Sequence, residues 1–260
     1  MVGVSLARLA VKVGPVTAGG GWGGGSGSVP AIRAVAALED DLRRGMYAYC
    51  RWAGHPVTRD EAAAHVGISR KLAAFHLDKL VDAGLLQAHY AQVGGIRRVG
   101  RAPKVYEPTN EPVRISIPQR HHELLAELLL DAVLQERSGE SAAASTLRVA
   151  RDRGADVGAG VRDIGRLGRL GAERALTIAE AVLARHGFEP HREGPVSLRL
   201  RNCPFQPLAA KAPELVCGIN HAYLTGFLAG LGAATVQAVL APEAGECCVR
   251  LAQGCSDDHR

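Results

Sequence analysis

The stretch Val57 to Leu86, VTRDEAAAHVGISRKLAAFHLDKLVDAGLL, constrains this chain more than any other, because start and stop signals follow each other at close intervals. Thr58 can cap a helix, and Glu61 three residues later completes a capping box. That helix is short and stops at Gly67. Ser69 then caps a second one, which ends before Gly84, the residue type expected just past a helix C-terminus. Ala73, Leu77, Leu80 and Gly84 recur at helical spacing and give this second helix one packing face. The opposite face presents Arg70, Lys71, Ala74 and Phe75.

Two strands are expected next, Leu85 to Gln92 and Lys104 to Glu107, joined by GGIRRVGRAP. No acidic residue occurs between Ala83 and Tyr106, while Arg97, Arg98, Arg101 and Lys104 surround the glycines of the hairpin. A basic tip of this kind suits phosphate tracking or entry into a minor groove. Helix spacing, turn glycine, the HLDKL pair and the closing AGLL together resemble the winged helix-turn-helix of ArsR- and MarR-type repressors. The resemblance implies double-stranded DNA as partner. Arg70, Lys71, Ala74 and Phe75 would then face the major groove, with Ser69 and its helix N-terminus on phosphate. Phe75 and His76 each have a second reading, as core or interface residues.

The 260 residues suffice for two modest domains, each with its own core. Residues 1–29 end in a glycine and serine tract and are expected to be a disordered tail; no GK[ST] follows to make it a phosphate loop. Residues 30–110 form the DNA-binding unit, opened by the apolar-periodic segment AIRAVAALEDDLRRGMYAYCRWA. Residues 111–260 form a second, α+β unit. In it Pro118 is expected to start a helix with an apolar stripe of Leu124, Leu125, Leu128, Leu129, Ala132 and Val133, the candidate contact of a homodimer or else a part of the core. Further helices are expected at about 140–155, 168–186 and 213–231, with strand pairs near 188–201 and 234–251. The uncharged run Ala222 to Pro242 has membrane-spanning length, but its glycines read as a core helix, a turn and a buried strand. Arg8 and Lys12 interrupt the N-terminal apolar residues, so a cytoplasmic protein is expected. Net charge is +5, from 31 basic and 26 acidic residues, a mild bias toward anionic partners.

Four of the six cysteines lie between residues 203 and 248. In a reducing compartment such clustering points to metal or redox chemistry. Cys203, Cys217 and one of Cys247 or Cys248 can converge, because adjacent strand residues face opposite ways. Three thiolates suit zinc or an iron-sulfur cluster. His221, four residues after Cys217, can complete a Cys3His zinc site or remain a core residue. A third possibility uses Cys217 as a nucleophile activated by His221. Cys50 reads as a small buried hydrophobe, and Cys255 as an exposed thiol in a polar tail.

CPFQPLAAKAPELVC followed by GECC is similar to the cysteine region of SufR-type iron-sulfur-responsive repressors. That resemblance implies a labile [4Fe-4S] cluster, with Cys203, Cys217 and Cys247 as ligands, that controls DNA affinity. Where members of that family place another cysteine just before the CP motif, this chain has Arg199, Arg201 and Asn202. The expectation is therefore a dimeric regulator, with zinc or an apolar small molecule as the alternative sensor ligand.

Overall fold

The structure, a computed structural model, describes residues 28–91 and 102–254. The glycine-rich tail up to residue 27, Arg97, Arg98 and Arg101 of the basic hairpin, and Cys255 lie outside these residues. Among the described residues the architecture is α+β, with two antiparallel sheets and two hydrophobic cores.

Around the first core the chain forms α1 (Ser28–Ala37), α2 (Asp41–Trp52), β1 (Val57–Thr58), α3 (Arg59–Val66), α4 (Arg70–Asp82), β2 (Leu86–Tyr90) and β3 (Lys104–Pro108). Ser28 and Val29, expected in the tail, instead open α1. The apolar segment after them breaks in two because the Asp40 carboxylate accepts from the Arg43 backbone N–H at 2.9 Å and starts a new helix. Thr58 and Glu61 form the expected reciprocal capping box, with the Glu61 carboxylate accepting from the Thr58 backbone N–H at 2.7 Å. These hydrogen bonds hold the Glu61 carboxyl below its usual value. Gly67 closes α3 in the left-handed conformation at φ 71°, and Ser69 caps α4. β1, absent from the sequence reading, pairs with β3 so that Val57 faces Tyr106, giving the sheet order β1-β3-β2. Met46, Cys50, Val57, Ala73, Leu77, Leu80 and Tyr106 fill this core, as the packing face of α4 required.

The second core is built by α5 (His122–Leu134), α6 (Ala142–Gly165), α7 (Ala172–Arg185), β4 (Pro190–Gly194), β5 (Ser197–Leu200), α8 (Leu208–Lys211), α9 (Pro213–Leu231), β6 (Val236–Leu240) and β7 (Val249–Gln253). Its sheet runs β4-β5-β7-β6, with α7 and α9 against it, α6 on α9, and α5 on α6. Two expectations need correction. Pro118 does not open α5. The backbone of Gln119 to His121 is bonded to the loop after β5 instead, the His121 N–H donating to the Pro204 carbonyl at 2.9 Å. Within the expected stripe, Leu124, Leu125, Leu128 and Ala132 are buried, but Leu129 and Val133 turn outward beside Leu130 and Leu134. The run from Ala222 resolves into the end of α9, a turn at Gly232 (φ 77°) and β6. Among the described residues no helix is long and apolar enough to cross a membrane.

α6 reaches Gly165, ten residues beyond its expected end, because its glycines are used for contact. A Cβ on Gly154 or Gly158 would strike the carbonyl oxygens of Tyr223 and Phe227 on α9, and one on Gly226 or Gly230 those of Arg151 and Ala155 on α6. Backbone meets backbone from both sides, a geometry open only to glycine and favourable for Cα–H···O contacts. Gly226→Ala is expected to destabilise the chain by about 1–3 kcal/mol through overpacking. Gly160→Ala, on the same α6 with nothing within 4 Å of the new Cβ, is expected to be neutral or to stabilise by about 0.5–1 kcal/mol. Urea denaturation of both variants checks the contrast, and equal effects would refute the crossing.

Candidate functional site

Three elements bring the cysteines together. β5 ends at Leu200, and Asn202 continues the chain by donating its backbone N–H to the Phe188 carbonyl at 3.0 Å, which delivers Cys203 to the core side. Phe205 is fully buried and meets Phe188 edge-on at 6.3 Å, anchoring the CPF turn. The turn leading into β7 returns beside β5, with the Cys247 N–H donating to the Leu200 carbonyl at 2.9 Å and the Ala241 N–H to the Cys248 carbonyl at 2.8 Å. α9 lies over the sheet and carries Cys217 in its second turn.

The cysteines are close enough to influence one another's ionisation, Cys247 raising Cys203 and Cys248 lowering Cys217. Cys203, Cys247 and Cys248 are buried and Cys217 is half-buried. The Cys247 neighbour and burial both push the Cys203 thiol up. Cys247 is lowered by Cys203 but raised more by Cys248 and burial together, and stands at about 12. Burial likewise raises Cys217. No three His, Cys, Asp or Glu side chains among the described residues have the arrangement of a preformed ion site.

Cys247 and Cys248 are both buried just before β7, which starts at Val249. The Cys247 N–H turns to β5 and the Cys248 carbonyl to the end of β6, so the backbone alternates here as in a strand. His221 has its Nε2 3.0 Å from the Ala238 carbonyl oxygen on β6. Cys50 sits in the first core with α2, its thiol raised to about 11 by burial.

Four residues of this site escaped the sequence reading. Asn220, fully buried one turn after Cys217, donates its Nδ2 to the Cys247 sulfur at 3.1 Å while its Oδ1 has no partner. A lone amide in an otherwise apolar helix was the available signal. Arg199 is an inward guanidinium on β5 whose side chain is only 8% exposed. It pairs with Glu193 at 3.1 Å, Glu243 at 2.7 Å and Glu246 at 3.5 Å, and so clamps the turn that carries Cys247 and Cys248. Asn202 donates to the Gln119 carbonyl at 3.0 Å and accepts from Arg120, whose guanidinium also reaches the Cys203 carbonyl at 3.4 Å.

The described N-terminal candidates are largely exposed. Ser69, Arg70, Lys71 and Phe75 are exposed and Ala74 is half-buried. Phe75 is 54% exposed, which decides against core packing, whereas His76 is buried at 7%. Arg70 forms an ion pair with Asp60 of α3. Lys104 is paired with Asp78 of α4 at 2.7 Å and lies 5.2 Å from the Tyr106 ring centre, so it ties hairpin to helix. No protein-family model matches this chain, and neither does any curated protein or solved structure.

Arg199→Gln is expected to lower the melting temperature and to raise the alkylation rates of Cys247 and Cys248 in metal-free protein, leaving Cys50 unchanged. Peptide mapping after timed iodoacetamide treatment reads this. Equal acceleration at Cys50 would mean global unfolding and would remove Arg199 from its role as clamp.

Proposed function

We propose that this chain is a sequence-specific DNA-binding transcriptional regulator, a repressor, that senses iron-sulfur or redox status through its C-terminal thiols. The observation that carries the reading is the convergence of the cysteines on a loop that is itself bonded to the segment leading from the N-terminal unit. α3 and α4 with the β2–β3 pair supply the parts of a winged helix-turn-helix: a capped helix with an exposed polar and aromatic face, followed by a hairpin. Ser69 and the N-terminus of α4 suit a phosphate, and Arg70, Lys71, Ala74 and Phe75 suit base edges and a thymine methyl. Arg70 must exchange Asp60 for DNA, a small cost because exposed pairs contribute little.

At the other end the donor set is sulfur throughout, which suits an iron-sulfur cluster or zinc and excludes a calcium or magnesium preference. The partnerless Oδ1 of Asn220 beside that set is the mark of a polar site. Cys203, Cys217 and Cys247 would hold a [4Fe-4S] cluster, which supplies oxidant-sensitive chemistry when bound. This chain's own part is to turn that change into motion. Arg120 and Gln119 grip Asn202 and the Cys203 carbonyl, and the His122 Nε2 lies 2.7 Å from the Gln206 carbonyl oxygen, so displacement of the Cys203 loop pulls on the entry to α5. The outward face of α5, with Leu129, Leu130, Val133 and Leu134, suits a second copy of the chain, because paired winged helices read paired half-sites. A different sensor ligand has one supporting observation. Val161, Ile164, Leu167, Ile178 and Val182 line an apolar cleft of about 1080 Å³ between α6 and α7, with Arg174 and Arg185 beside them, which fits an apolar small molecule.

Operator titrations test the DNA half. Lys71→Ala is expected to cost about 1–3 kcal/mol on the specific site and to relax preference at one base pair. Arg98→Ala, by contrast, should weaken binding to all DNA and flatten its salt dependence. Identical behaviour of the two would refute the assignment of helix and wing. Val133→Glu is expected to give monomers in analytical ultracentrifugation, and a dimer there would move the interface elsewhere.

The coupling is read separately. Oxidation or chelation of the native protein is expected to change operator affinity about tenfold, the size of an ordinary allosteric coupling. Arg120→Ala should keep the metal but lose that response. Retention of the full response in a metal-loaded Arg120→Ala chain would remove the loop contact from the mechanism.

A further inference from the structure

α6 packs on α9 and α7 on the sheet, so the two helices face each other across a cleft instead of closing on one another. We propose that this cleft binds a long-chain carboxylate, a fatty acid or a molecule of that build, with the acyl chain along α7 and the carboxylate on Arg174 or Arg185. The inference rests on the reading of the cleft as a site for an apolar ligand, gives that ligand a charged head, and is independent of the thiols.

The floor of the cleft is continuous with the C-terminal core, since Val161, Leu167, Ile178 and Val182 are half-buried and packed against that core. Ile164 stands on the rim, 89% exposed. Gly165, Gly171, Ala172 and Ala181 line other parts and add little bulk, which leaves about 1080 Å³, the size of a large small-molecule site. The cleft is also long. Arg174, Ile178, Ala181 and Arg185 recur at helical spacing, so the lining face runs nearly the length of α7 with a guanidinium at each end, roughly 16 Å apart along the axis. A chain lying along α7 meets one of them whichever way it enters.

Charge decides the head group. Arg148, Arg192 and Arg199 of the same unit are each paired with a carboxylate, whereas among the described residues neither Arg174 nor Arg185 has a carboxylate partner. The lining carries these two arginines against one acid, Glu173, and so keeps a net positive charge. An apolar chain ended by one carboxylate matches both parts: the chain covers the floor, and the carboxylate meets the fork of a guanidinium. A second copy of this protein fits less well, because a two-fold interface sets a patch against itself and would oppose two positive clefts.

The neutral fluorophore N-phenylnaphthylamine, titrated into the full chain, reads occupancy of the cleft, and laurate and dodecanol, of equal chain length, are then added to displace it. Wild type is expected to bind one probe per chain and to release it to both. Arg174→Gln combined with Arg185→Gln, at two exposed positions, should weaken laurate about tenfold, the loss of one charge-assisted contact. Dodecanol affinity should stay unchanged in that variant, which certifies its fold. Ile164→Glu, on the exposed rim, should lower probe and laurate affinity together. Laurate affinity equal in the double variant and wild type overturns the head-group assignment while leaving an apolar-ligand site standing. Absence of saturable probe binding, or wild-type affinity in Ile164→Glu, overturns the site and the apolar-ligand reading with it. Sedimentation with phosphatidylglycerol vesicles, without displacement of the probe by monomeric laurate, would make the patch a membrane surface and refute the proposal.

Discussion

The contact between α6 and α9 is the constraint on which the C-terminal unit depends. Interaxial distance between helices is normally set by side chains, and here four glycines remove them so that backbone rests on backbone. The contact has a rigid register, since moving either helix by one residue would drive a Cβ into a carbonyl. α9 is thereby fixed along its length, and with it Cys217 and Asn220 one turn apart on its buried side. A loosely seated α9 could not hold a sulfur and an amide within hydrogen-bond reach of Cys247. The glycines that break up the apolar run in sequence are thus the parts that make a precise helix seat.

Arg199 and Asn202 complete the seat from the sheet side. In the SufR-like resemblance they stand where another cysteine is expected, and the structure gives them different work. Arg199 has three carboxylate partners, and Glu193 is held below its usual value mainly by the hydrogen bond from Arg199. A buried guanidinium is costly unless fully paired, which explains why the turn carrying the acids is drawn onto β5. Asn202 spends its amide on the Gln119 and Gly187 carbonyls, stitching three chain segments with one side chain. With polar side chains here in place of a cysteine, hydrogen bonds and ion pairs hold the loop.

Much of this was legible in sequence, and the exceptions have physical reasons. Caps are local, so Thr58, Gly67, Ser69 and Gly84 marked α3 and α4 correctly, and the bounds of α9 follow from Pro213 and Gly232. The break between α1 and α2 depends on one carboxylate, Asp40, inside a segment with continuous apolar period. Pro118 carries a helix-start signal that loses to long-range hydrogen bonds with the Cys203 loop. β1 is two residues long and exists only because β3 is beside it. The cysteines themselves were visible. Arg120, Arg199, Asn202 and Asn220 were not, since a polar side chain announces its partner only once the fold supplies one.

Under the proposed sensing role, the path from the thiols toward the N-terminal unit would follow from where rigidity lies. α5 is buried along Leu124, Leu125, Leu128 and Ala132 and moves only with the core, so it is a poor transmitter. The segment just before it is different: Gln119, Arg120 and His122 are held to the Cys203 loop by polar contacts, each worth about 1 kcal/mol net. A handful of such bonds is comparable to an ordinary coupling energy of about 1–3 kcal/mol. Rearrangement at Cys203 can therefore release or tighten the entry to α5 without unfolding anything. The Cys203 loop is wedged by Phe205 against Phe188 on one side and tethered by hydrogen bonds on the other, which in the proposed sensor would serve as fixed pivot and reversible latch.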